Sequence, residues 1–479
     1  MSGSRTAASE AARTTGDAHG PGLQRELSTR HIIFIALGSA IGTGLFLGSS
    51  AAITAAGPGV LLAYLAAGTA VFFVMRALGE MAVREPVSGS FSAYAFRYLG
   101  PFAGFLTGWS FVFELAIVII ADITAAALYM QFWYPGTPAW VWIAAVICFI
   151  AGINIARVGR YGELEFWLSI VKVVAVLAMI GGGIALMLMG VSYEPGAPTG
   201  PQNLVAHGGL FPTGAAGMLA ALSIVVFSFG GIETIGITAG EAKDPSGAIP
   251  KAINSVPVRI LLFYVGTLAV TMSLVPWDRI ELDSSPFVQI FGQLGVPFAA
   301  HLLNFVVLTA AVSAVNGCTY SMGRLLYSLA QDGQAPRVFT RVSSRGVPWA
   351  SLLVVVGVMV VGAVVNTVAE DAFVTVAQIA TFSVVWTWTM ILLSHLGMRR
   401  AMTAAGERPG AFAMPGGTAA TWATLAFVAF VVGVLAWLPE SRQALAIGLV
   451  WVALLTLVWV VGARRHSLRH ARTGRLPQP

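Results

Sequence analysis

The sequence predicts an all-α polytopic membrane protein of twelve transmembrane helices, two five-helix repeats of opposite orientation followed by two extra helices, with helices 1 and 6 discontinuous. Three observations predict it. Hydrophobic residues make up 57% of the 479 and charged residues only 10%, where a soluble chain carries about a quarter charged. The apolar residues gather in runs of roughly 20 or more, enough to cross a hydrocarbon layer about 30 Å thick as helices. Two of those runs, the first and the sixth, are broken by glycines at corresponding places in the two halves.

Taken in order, residues 1–27 are polar, with no apolar core and no cleavage pattern, and read as a disordered cytoplasmic tail. The apolar transmembrane domain covers 28–463. Its spans are 31–56, 59–83, 101–133, 138–156, 163–190, 213–240, 255–276, 298–330, 348–368, 373–397, 417–437 and 443–463. Residues 464–479 form a basic tail. Of the 27 Lys and Arg, 23 fall on one side of this arrangement and only Arg279 and Arg442 on the other, while Arg76 and Lys172 lie within spans. That bias places both termini in the cytoplasm, which an even number of spans also requires. It accounts for the net charge of +6 without a nucleic acid partner. The partners expected are the lipid bilayer of the cytoplasmic membrane, protons and a small-molecule substrate.

The first span contains Gly38-Ser39-Ala40-Ile41-Gly42-Thr43-Gly44-Leu45-Phe46. A glycine in a helix interior costs about 1 kcal/mol against alanine, so three in seven residues suit either close packing through small side chains or an interrupted helix. Freed backbone cannot face lipid, so an interruption must face protein or a wet cavity. The sixth span carries the second one, Phe227-Ser228-Phe229-Gly230-Gly231-Ile232-Glu233-Thr234-Ile235-Gly236. A repeat of five helices, an odd number, must be inverted, and 31–190 with 213–397 form such a pair. Glycine-broken segments in matching positions of two halves point to a binding site at the bilayer midplane. Spans 11 and 12, over 417–463, then lie outside the repeats, at the periphery or at an oligomer contact.

Ionisable residues inside spans are functional candidates. Lys172, mid-span in helix 5, has no acid nearby in sequence; it fits a proton carrier or a static pair with Glu233, Glu114 or Asp122. Glu233, inside the second break, can brace loose backbone, line the pathway or carry a proton. Glu114 and Asp122 are eight residues apart and differ in facing by about 80°; Asp122 is expected to face the cavity, and Glu114 fits the headgroup zone. Arg76 is expected to snorkel or to pair with Glu80. His31, His301 and His395 sit near span ends as solvated or capping residues.

Nothing resembles catalytic machinery. The two cysteines, Cys148 and Cys318, both lie in apolar runs, so neither a disulfide framework nor structural zinc is expected. No metal or cofactor is expected, and no HExxH, CxxC, GxSxG or phosphate loop occurs. Gly42-Thr43-Gly44 starts like a nucleotide-binding loop but lies in an apolar span with no strand before it.

Four segments in order, Gly38–Phe46, Met75-Arg76-Ala77-Leu78-Gly79-Glu80-Met81, Tyr161-Gly162-Glu163-Leu164-Glu165-Phe166-Trp167 and Gly240-Glu241-Ala242-Lys243-Asp244-Pro245, resemble the amino-acid transporter family of the amino acid–polyamine–organocation superfamily. Within it, Ala121–Ala125, Gly230–Pro245 and Ala252–Pro257 look most like permeases for proline and small neutral amino acids. The resemblance implies a leucine-transporter-like fold and proton-coupled uptake. It also implies a substrate carboxylate held by backbone amides around Ile41, Gly42, Thr43 and Gly44, and an amino group on helix 6 carbonyls near Phe227, Gly230 and Gly231. Phe227 would gate the pocket. Lys172, with Ser313, would replace a sodium ion of related carriers, and proton coupling would involve Lys172, Glu233 and Asp122. Glu114 and Ala314 depart from the pattern. The expected function is proton symport of proline, alanine, serine, threonine or glycine; the alternative is an exchanger or a permease for basic or aromatic amino acids, including histidine.

Overall fold

The computed structural model describes residues 30, 34, 41–87, 89–154, 158–239, 243–282, 285–343, 348–368 and 372–463. The tails 1–27 and 464–479, His31, Gly38–Ala40 and Gly240–Ala242 therefore lie outside the described residues. Every regular element among those described is helical. The helices that matter for the site are α1 (Thr43–Phe46), α2 (Gly48–Ala56), α3 (Val60–Arg84), α4 (Ser90–Leu99), α5 (Pro101–Gln131), α6 (Ala139–Asn154) and α7 (Val158–Leu188). They continue with α8 (Gly214–Ser228), α9 (Thr234–Ala239), α10 (Pro245–Asn254), α11 (Thr267–Leu274), α12 (Pro286–Gln293) and α13 (Pro297–Gln331). The chain ends through α14 (Trp349–Val368), α15 (Ala372–Ala404), α16 (Gly417–Trp437) and α17 (Pro439–Val458).

Among the described residues nine helical segments are long and apolar enough to cross a membrane, and two shorter apolar helices are α6 and α8. The shortness of α8 is the break expected in the sixth span. α15 runs to Ala404, seven residues past the expected 397, because Arg399, Arg400 and Met402 continue the helix beyond the apolar stretch.

α5 is the hub. It packs against α4, α13, α14 and α15. In α5 and α15, 72% of the most apolar stretch is buried within the protein, against 22% in α7, α14 and α17. The latter three turn apolar side chains such as Trp167, Val361 and Val450 outward, the pattern of a surface whose solvent is lipid.

Between α10 and α11 a π-helical stretch, Ile260–Gly266, carries Tyr264 inward. Such insertions are rare and cluster at functional sites. Here it delivers a hydroxyl to the second helix break.

Candidate functional site

The interruption predicted in the sixth span is present, and it touches the described glycine segment of the first. Gly42 is extended (φ −114°, ψ −169°), and a helix begins at Thr43. The N–H groups of Leu45 and Phe46 donate to the Gly42 carbonyl at 3.2 and 3.3 Å. The amides of Thr43 and Gly44, first-turn donors, have no carbonyl partner among the described residues.

The second break spans Phe229 to Glu233. Gly231 has φ +92°, a conformation open to glycine and strained for other residues. Its N–H donates to Glu233 Oε1 at 2.9 Å, and the Thr234 hydroxyl donates to its carbonyl at 2.6 Å. The Phe227 carbonyl already accepts from Gly230 N at 2.9 Å. The Gly230 carbonyl receives no hydrogen bond among the described residues, which leaves it open to a ligand amine.

Ser228 fastens the two breaks together. Its hydroxyl donates to the Gly44 carbonyl at 2.9 Å, and its own carbonyl accepts from Tyr264 OH at 3.0 Å. Tyr64 OH lies 3.3 Å from the same hydroxyl, and Tyr64, Phe229 and Tyr264 pack as an aromatic cluster behind the turn. Sequence reading missed Ser228 and both tyrosines; only the position of Ser228 inside the glycine motif hinted at it.

The breaks line a cavity. Gly42, Thr43 and Gly44 line it from helix 1, Phe227, Ser228, Gly230 and Gly231 from helix 6, and Val118 with Asp122 from α5. Helix α13 contributes Ser313, Ala314, Gly317, Cys318 and Ser321, whose spacing is one helical face. Ile41 is fully buried but outside this lining. Thr234, Thr238 and Ser321 extend the wall along α9 and α13, about 12 Å beyond Ser313 at 1.5 Å per residue. Phe227 meets Phe373 edge-on at 6.1 Å, and Phe46 meets Phe287 of α12 at 5.6 Å.

Asp122 faces the cavity as expected and accepts from the Thr43 hydroxyl at 2.5 Å, which ties α5 to the start of α1. Lys172, wholly buried, donates from Nζ to Ser313 Oγ at 2.9 Å, and Ser313 donates to Glu165 Oε1 at 2.5 Å. Glu165 belongs to none of the acid partners expected for Lys172. It stands seven residues before the lysine, two helical turns on the same face, and that spacing was the available signal.

Three expectations need correction. Glu114 does not reach a headgroup zone: it is 1% exposed and accepts from the Thr387 hydroxyl at 2.6 Å. Arg76 does not pair with Glu80; it donates to Asn254 Oδ1 and the Ala413 carbonyl and stacks on Phe412 at 3.8 Å. His395 is no solvated end residue. It is fully buried, 3.0 Å from Glu80 Oε2, an oxygen that also accepts from Arg399 at 2.8 Å and Met414 N at 2.8 Å. His301, by contrast, lies at a helix end against Trp133 Nε1. Removing one partner of a buried ion pair typically costs about 3–5 kcal/mol. Glu80→Ala is thus expected to lower the thermal unfolding midpoint of the purified protein sharply, and an unchanged midpoint would contradict the network.

A bundle of membrane-length helices, one of them broken beside a cavity lined by glycines and a few polar groups, fits the class of multi-pass membrane transporters. The chain is a member of the amino acid permease family, within the amino acid–polyamine–organocation superfamily: the family model matches residues 31–475. It is thus a transporter and not an enzyme. It is 45% identical over 438 residues to the uncharacterized amino acid permease YtnA of Bacillus subtilis, an alignment covering 91% of this chain and 94% of that one. It is similar as well to the aromatic amino acid transport protein AroP of Escherichia coli K12, 45% over 443 residues, covering 92% and 96%. AroP of Salmonella typhimurium is 48% identical over 391 residues, covering 81% and 85%. The specific likeness to proline and small neutral permeases is not what these relatives carry.

Proposed function

We propose that the protein imports an aromatic L-amino acid, of the phenylalanine, tyrosine and tryptophan class, across the cytoplasmic membrane in symport with protons. The observation that carries this is the make-up of the cavity wall. Gly42, Gly44, Gly230, Gly231, Ala314 and Gly317 present nothing larger than a methyl group, and Val118 and Phe227 supply apolar faces. Such a wall leaves room for a ring beside the two main-chain breaks. The names of the Escherichia coli and Salmonella relatives support the same class. A basic side chain is disfavoured: Glu114 is turned to Thr387, and the cavity acids Asp122 and Glu165 are engaged by Thr43 and Ser313.

In this reading the substrate carboxylate sits on the amides of Thr43 and Gly44, and its ammonium on the Gly230 carbonyl. Twelve spans in two inverted repeats, 31–190 and 213–397, rock about that ligand, with both termini in the cytoplasm as the distribution of Lys and Arg suggests. Lys172 links α7 to the cavity through Ser313 and is the proposed seat of proton coupling, with Asp122 as its cavity-side neighbour.

The deciding measurement is displacement of labelled phenylalanine in proteoliposomes by a panel of twenty amino acids. Tyrosine and tryptophan should displace it; displacement by proline, alanine or lysine with none by tyrosine sinks the aromatic reading. Ala314→Leu, which fills the wall of α13, is expected to lower phenylalanine uptake at least tenfold. Equal uptake by this variant would mean that the ring lies elsewhere.

A further inference from the structure

Lys172 and Glu165 meet on a single hydroxyl. Lys172 Nζ donates to Ser313 Oγ at 2.9 Å, and Ser313 donates onward to Glu165 Oε1 at 2.5 Å. A serine hydroxyl accepts and donates at once, so these side chains form one directed chain from an ammonium to a carboxylate. Lys172 and Ser313 are wholly buried, and Glu165 is 4% exposed. Glu165 lines the cavity, and its second oxygen, Oε2, is buried with no hydrogen-bond partner among the described residues.

The helices packed on α7 are α13, α11 and α6. Neither α11 nor α6 carries a charged side chain. On α13, Cys318 and Tyr320 are the nearest ionisable groups, and the charged or basic ones, His301 and Arg324, stand about 16 Å or more along the helix from Ser313. On α7 itself Glu163 pairs with Arg30, and across the cavity Asp122 is engaged by Thr43. Glu165 precedes Lys172 by about 10 Å of helix rise, toward the start of α7. That end faces the cytoplasm in the proposed orientation.

We propose that Glu165 is the residue through which the coupled proton leaves Lys172 for the cytoplasmic side, with the Ser313 hydroxyl as the bridge. This rests on the proton-symport reading, and it assigns release to a residue outside the expected set of Lys172, Glu233 and Asp122. In the loaded state Lys172 is an ammonium and Glu165 a carboxylate. On release, one ammonium proton bonds to Ser313 Oγ while the Ser313 hydroxyl proton passes to Glu165 Oε1. The products are a neutral amine, an intact serine and a neutral carboxylic acid. Both separations are short enough for transfer without movement of the helices. Glu165 then gives its proton to water in the inward-facing cavity and is a carboxylate again, so one proton has left and nothing else is consumed. A proton taken up with the next substrate from the outer side restores the ammonium.

The test measures protons moved per phenylalanine carried by the full-length protein in proteoliposomes holding a trapped pH dye. Ser313→Ala removes the bridge and leaves both ends in place. Glu165→Gln keeps the shape of the acceptor but cannot take up a proton as an acid. In each variant the ratio should fall at least tenfold, whereas Ser313→Thr, which retains a hydroxyl, should restore the wild-type ratio. A merely structural serine or glutamate would lower the amount of phenylalanine carried and leave the ratio unmoved. A wild-type ratio in Ser313→Ala or in Glu165→Gln therefore overturns the relay, as does a Ser313→Thr ratio as low as that of Ser313→Ala. If one of the two disabling variants does not fold, the other decides. A wild type that carries phenylalanine without protons removes the symport reading and the relay with it. A wild type that carries a different amino acid with protons removes only the aromatic reading, and the same ratios measured with that amino acid then judge the relay.

Discussion

Gly44→Ala is expected to reduce amino acid uptake at least a hundredfold. A Cβ at this position would lie 2.5 Å from Ser228 Cα and 3.1 Å from Ser228 Cβ and Oγ. The nearest atom is backbone, so no rotamer change relieves the clash, and the two broken helices must separate by about 1 Å to reach ordinary contact. That shift breaks the Ser228–Gly44 hydrogen bond and displaces the amides proposed to hold the carboxylate. Misplacement on this scale at a site typically costs about a hundredfold in rate. Gly48→Ala is the matched comparison one turn further on: its Cβ would meet Ile224 and Ser228 at 3.8 Å, an ordinary contact. Uptake by Gly48→Ala should stay within about threefold of wild type at equal membrane abundance. If both variants transported alike, the close approach of the two helices would not matter to function.

Lys172→Met is expected to abolish concentrative uptake driven by a pH gradient. The substitution keeps length and apolar character but removes the donor to Ser313, and with it the positive charge beside Glu165 and Asp122. Leaving buried acids uncompensated typically costs about 3–5 kcal/mol, so a fall in stability is expected as well. The second substitution Glu165→Gln should recover folding without recovering coupling, which separates the two effects. The measurement is accumulation of labelled phenylalanine against its gradient, with and without an imposed pH difference. Undiminished, pH-dependent accumulation by Lys172→Met would remove the lysine from the coupling mechanism.

The main lines of the site were legible because glycine is informative inside an apolar run. A membrane helix has no local reason to carry Gly42, Gly44, Gly230 and Gly231, and all four line the cavity. Asp122 was legible for a similar reason, since a lone acid in a span needs a wet or paired setting. Failures came where partners are remote in sequence. Arg76 and Glu80 have the four-residue spacing of a helix-surface pair, but such a pair contributes only about 0.2–0.5 kcal/mol. It lost to contacts 178 to 337 residues away for Arg76 and 315 to 334 for Glu80. Glu114 misled for the same reason: its contact with Thr387 is set by packing of α5 on α15, which no local pattern encodes. Substrate class was the least legible, because a wall of glycine and alanine looks in sequence like ordinary helix packing.

The fastening at Ser228 also constrains which parts of the molecule can swing. Gly44, Tyr64 and Tyr264 pin the end of α8 to the first and third helices and to the π-turn, so that corner behaves as a single rivet. The short α9 beyond it follows Gly231, whose positive φ suits glycine, and packs on α3, α4, α10 and α13. In the proposed transport cycle, α8 would thus be the fixed post and the six residues of α9 the leaf that shifts against it.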